Sequence, residues 1–77
     1  MRKYYFTFGT DAAFPFGINE FVLVKADSRS EAVSKFSAKY APRRDGIANC
    51  AFIYTEDEFK SIQEKYYRNV VPSDVIE

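Results

Sequence analysis

Twice in this chain an apolar β-type run leads straight into a helix start. Ser28 is followed three residues later by Glu31, and Thr55 by Glu58. At this spacing the hydroxyl accepts from the third backbone N–H while the glutamate reaches back to the cap, satisfying donors that a helix start leaves orphaned. Behind the first cap, Ala32, Val33, Phe36 and Tyr40 share one helical face; behind the second, Phe59, Ile62, Tyr66 and Val70 do. Glu56, Asp57 and Glu58 suit the positive end of the second helix, and Lys65 and Arg68 its negative end. Pro42 stops the first helix, because the residue before a proline is driven out of the helical region.

The segments before the caps are strands. "FVLVKA", Phe21 to Ala26, is apolar on both faces as far as Val24 and reads as a central strand. "CAFIYT", Cys50 to Thr55, is the third strand. "RKYYFTFGT", Arg2 to Thr10, alternates Tyr4, Phe6 and Phe8 with Tyr5 and Thr7 and is the first. The expected order is β-β-α-β-α, an α+β two-layer sandwich with two amphipathic helices on one face of a roughly three-stranded sheet. A hairpin joins the first two strands, and a right-handed crossover makes the second and third parallel neighbours. Residues 71–77, "VPSDVIE", form an extended tail that pairs with a sheet edge or frays.

Seventy-seven residues make one domain, 1–77, close to the lower limit for folding without staples. Eight Phe and six Tyr are many rings for so small a core. A sheet with one uncovered face and open edges would be completed by a second copy, so a homo-oligomer is expected. Eleven basic residues balance eleven acidic ones, which argues against binding to a nucleic-acid backbone. No run approaches transmembrane length and no signal-peptide pattern opens the chain, so a soluble, cytoplasmic protein without membrane contacts is expected.

Catalytic signatures are missing. The sequence has no histidine, and Gly9, Gly17 and Gly46 are too scattered for a phosphate loop. Cys50 is the single cysteine and sits in an apolar pattern, as a structural core thiol does. The expectation is a protein that is not an enzyme, with no catalytic residues, metal or cofactor.

Three patches suit binding instead. The loop from Gly9 to Gly17 places Phe14-Pro15-Phe16 beside Thr10 and Asp11. Its rings either fold back as lids over the core or form the walls of a site whose polar edge is Thr10 and Asp11. Arg43 and Arg44 are either a solvated loop or a clamp for a phosphate or carboxylate. Tyr67 and Arg68 lie off the apolar face of the second helix and are candidates for a partner contact. A further option is a single-strand nucleic-acid platform of Tyr4, Phe6 and Phe8, which zero net charge disfavours.

Together, "KYYFTFGTDAAFPF", "NCAFIYTEDEF" and the closing "VIE" resemble an uncharacterised family of very small proteins from phages and integrated mobile elements of Gram-positive bacteria. The shared pattern, "FTFG(S/T)…FPF…NC…YYT", falls on Phe6 to Thr10, Phe14 to Phe16, Asn49-Cys50 and Tyr54-Thr55, and this chain departs from it at Ile53. The resemblance implies an accessory protein that works by binding in the host cytoplasm. It would antagonise a host defence by capturing a nucleotide-like ligand or by masking a host protein. The alternative is a structural module of a phage or mobile-element assembly. In the nucleotide reading, Thr10, Asp11, Phe14, Phe16, Arg43 and Arg44 hold the ligand.

Overall fold

A computed structural model describes residues 1–43 and 45–77. Its elements are β1 (Arg2–Thr7), β2 (Phe21–Ala26), α1 (Arg29–Lys39), β3 (Phe52–Thr55), α2 (Glu56–Tyr66) and β4 (Asp74–Ile76). Both helices start at the expected caps, but only the second forms the full reciprocal box: at the first, Glu31 reaches past Ser28 to the preceding residue. Ser28 accepts from the Glu31 amide at 3.1 Å, and Glu31 accepts from the Asp27 amide at 2.9 Å. Thr55 and Glu58 complete a reciprocal box, the Glu58 amide donating at 3.3 Å and the Thr55 amide at 2.9 Å. Thr55 is at once the last residue of β3 and the cap of α2, so strand and helix join without a linker.

The α+β class holds, and the sheet has four strands in the order β3-β1-β2-β4. β1 pairs antiparallel with β2, Tyr4 opposite Val24 and Phe6 opposite Val22, as the hairpin requires. On its other side β1 pairs antiparallel with β3, Tyr5 opposite Tyr54 and Phe6 opposite Ile53. Hence β2 and β3 run in the same direction but are not neighbours: β1 lies between them. The tail is ordered as β4 and adds parallel to β2, Val22 opposite Asp74.

The helices do not share a face. Phe36 of α1 stacks on Phe6 at 4.4 Å, in a buried cluster with Tyr4, Val22, Val24 and Ala32. Phe59 of α2 stacks on Tyr5 at 4.1 Å, in a second cluster with Phe21 and Tyr67. Tyr5 and Phe6 are consecutive strand residues and so point to opposite faces. Connectivity accounts for this. The chain crosses the sheet one way from β2 to β3 and back the other way from β3 to β4. Two crossovers of the same hand in opposite directions must lie on opposite faces. Each face therefore carries a helix, which removes the bare-face argument for a second copy and leaves only the edges.

Candidate functional site

The hairpin loop between β1 and β2 is tied down at several points. The Asp11 carboxylate accepts from the Ala13 amide at 2.9 Å, and the Phe14 amide donates to the Asp11 carbonyl at 3.1 Å, a turn typical of Asp. Asn49, from the segment before β3, donates its side-chain amide to the Ala13 carbonyl at 2.9 Å. At the far end, the Ser73 hydroxyl donates to Glu20 at 3.0 Å.

Phe14 and Phe16 are both half-buried and pack on the cluster under α1. Phe16 lies 5.4 Å from Phe8 and edge-on to Tyr40 at 5.3 Å. Phe14 lies 6.1 Å from Phe8 and close over Gly9, where a Cβ would come within 3.3 Å of the ring. The Arg43 guanidinium sits over the Phe14 ring at 5.1 Å and also donates to the Cys50 carbonyl at 3.2 Å. Residues 29 positions apart are thus joined by a cation–π contact. The rings are lids on the core whose outer parts remain at the surface.

The loop borders an open concavity of about 450 Å³, lined by Thr10, Asp11, Phe14, Phe16 and Glu20 among others. Its polar rim is acidic, and Arg43 lies on the Phe14 ring rather than on this rim. The structure therefore brings together Thr10, Asp11, Phe14 and Phe16, with Arg43 against Phe14. Arg44 lies outside the described residues.

The expected partner contact at Tyr67 and Arg68 changes. Tyr67 is only 7% exposed and packs on Phe59 at 5.1 Å and Phe21 at 5.7 Å. Burial pushes its phenol pKa up. Tyr66, expected in the core, is 57% exposed. The chain leaves helical geometry at Tyr67 (φ −130°, ψ 29°), so helical periodicity no longer decides which of the two rings turns inward. Arg68 is exposed beside Glu64 at 4.0 Å. Tyr4, Phe6 and Phe8 are buried beneath α1 and offer no platform for bases. Cys50 is buried, and burial raises its thiol pKa, as suits an inert thiol.

Sequence reasoning missed a second surface. Among the described residues, Phe52 (63% exposed), Ile47 (58%) and Ile18 (53%) flank β3 together with Tyr66. The sequence reading places Phe52 in the third strand without marking it as exposed. The signal that could have flagged it is the run Ala51-Phe52-Ile53-Tyr54, apolar on both faces, in a strand only four residues long.

Among the described residues, no helix is long and apolar enough to cross a membrane. Compared with protein-family models, curated proteins and solved structures, the chain matches none.

Proposed function

We propose that this chain is a non-enzymatic binding protein that works by covering a surface of a partner protein. The observation that carries this reading is the state of Phe14. One side of its ring lies over Gly9 and Arg43 sits over the ring, so the ring is held at the surface rather than left open to receive a flat ligand. A fixed aromatic pair with an adjacent arginine, on a braced loop, is the make-up of a protein-binding hot spot. The phage or mobile-element setting, a host defence protein as the partner and the host cytoplasm as the location all rest on the sequence resemblance.

A second reading, capture of a nucleotide-like ligand, is favoured by the Arg43–Phe14 stack, since guanidinium planes also stack on bases and pair with phosphates. The acidic rim of Asp11 and Glu20 opposes it. A pull-down from host lysate, with mass spectrometry of both proteins and co-purifying small molecules, separates the two readings. Substitutions at exposed loop positions, Thr10→Arg and Pro15→Asp, should release a bound protein while leaving the melting temperature unchanged. Retention of the same protein by both variants would rule the masking reading out. A nucleotide that co-purifies and raises stability by roughly 2.7 kcal/mol at a hundredfold excess over its Kd would establish the second.

A further inference from the structure

We infer that two copies of this chain associate through the outer edge of β3, with Ile53 of one copy opposite Ile53 of the other. The inference concerns the β3 edge, which Gly9, Ile18 and Asn19 of the loop border and Phe14 and Phe16 do not, and it does not depend on what those two rings bind.

The free edge is identified by a hydrogen bond. Arg29, the first residue of α1, donates to the Ile53 carbonyl at 3.1 Å, so that carbonyl points away from β1. In an antiparallel ladder a residue's N–H and C=O point to the same side. Ile53 therefore presents both groups outward, while Phe52 and Tyr54 spend theirs on β1. Antiparallel addition of an identical strand must then centre on Ile53, where the two residues exchange both hydrogen bonds. This register is self-complementary. It sets Phe52 opposite Tyr54 of the second copy twice over, all four rings on the α2 side, and sets the two Ile53 side chains together on the α1 side.

The surroundings fit the same occupant. On the α1 side a groove of about 510 Å³ is lined by Val33, Ile47, Cys50 and Ile53 among others, and on the α2 side one of about 320 Å³ by Ile18, Tyr54, Ile62 and Tyr66. Phe52 borders both. Since α2 touches β1 and β3 alike, it lies over the seam between them. Across the joined edges the two α2 helices would lie two strand spacings apart, roughly 9.5 Å, which is a packing distance for helices. The four large apolar side chains offer on the order of 400 Å² per copy, about half of what one side of a standard interface covers. The strand backbone and the groove walls supply the rest.

Arg29 sets the competition. Its guanidinium holds the Ile53 carbonyl and lies 3.9 Å from Glu58, so it spans the edge from α1 towards α2. Pairing requires Arg29 to release the carbonyl, whereas its interaction with Glu58 need not break. Arg29→Ala removes the competitor from an exposed position.

Sedimentation velocity over a concentration series tests this, with backbone amide exchange measured in the same samples. The expected result is a monomer–dimer equilibrium in which the Ile53 amide gains protection as the dimer forms. Arg29→Ala should tighten the dimer, and Phe52→Lys should weaken it about tenfold or more, both with an unchanged circular dichroism spectrum. A wild type and an Arg29→Ala variant that both stay monomeric at about 1 mM overturn the inference, that concentration detecting even a weak complex. A dimer that forms without protecting the Ile53 amide, or that ignores Phe52→Lys, overturns it equally.

Discussion

Replacing Phe36 and Phe59 by leucine, singly and together, tests whether the core is divided by the sheet. Both rings are buried. Phe36 is stacked on Phe6 at 4.4 Å, Phe59 on Tyr5 at 4.1 Å with the ring planes 4° apart. Each exchange keeps an apolar side chain but loses the ring contact and leaves a gap, which should lower unfolding free energy by roughly 1–3 kcal/mol. A domain of this size has roughly 4–12 kcal/mol in total, so the single variants stay folded. The sheet separates the two sites, and each ring belongs to its own cluster. Their effects should therefore add to within about 0.5 kcal/mol. Had both helices lain on one face, the two rings would share a core, and the double variant would depart from additivity by about 1 kcal/mol or more. Urea unfolding followed by circular dichroism gives the three differences, provided the slopes agree and protein concentration is fixed. A coupling above about 1 kcal/mol would refute two separate clusters.

Further outcomes follow from individual side-chain contacts. Thr55→Ala should cost about 1 kcal/mol, since it removes the oxygen that accepts the Glu58 amide, while Thr55→Ser should restore most of it; equal loss in both, read by urea unfolding, would place the cost elsewhere. Lys39 and the Tyr40 hydroxyl, each 2.6 Å from Asp74, hold that carboxyl below the usual carboxylate range. Its stabilising effect on β4 is therefore present above the unfolded-chain pKa near ~4 and lost as pH falls through the lower folded value. Exchange of the β4 amides corrected for intrinsic rate should rise there, and Asp74→Asn should abolish the dependence. Burial, and then Asp74, push the Tyr40 phenol up to about 12, so its contribution holds below about 10 and is lost as pH rises through about 12.

The local grammar of the fold was legible because its causes are local. The caps at Ser28 and Thr55, the strand Phe21–Ala26 and the stop at Pro42 each depend on neighbours a few residues away. The position of β1 between β2 and β3 was not legible, because alternation in "KYYFTF" shows only that both faces are apolar. That is equally true of a strand buried under two helices and of one half covered. Tyr66 and Tyr67 were exchanged for a related reason: at a helix end the backbone angle of one residue decides which ring turns inward. Phe14, Phe16 and Arg43 were each picked out from composition. Their meeting depends on the loop before β3 folding back against the hairpin loop, where Asn49 binds Ala13, and no short-range signal encodes that.

The aromatic excess has a structural consequence that links the loop to the far edge of the sheet. Rings follow one another from Phe6 to Phe36 at 4.4 Å, from Phe36 to Tyr40 at 5.0 Å, and from Tyr40 to Phe16 at 5.3 Å. Tyr40 also donates to Asp74, the first residue of β4. Close-packed interiors transmit displacement because they hold little free volume. A partner that presses on Phe16 therefore bears on the side chain that anchors β4, a strand of three residues with one neighbour in the sheet. Such a strand opens at small free-energy cost, so the tail is where engagement of the loop should first be detected, as a change in amide protection at Val75 and Ile76. If a bound partner left those amides unchanged while Phe16 became protected, the ring chain would be packing alone and not a route between the two.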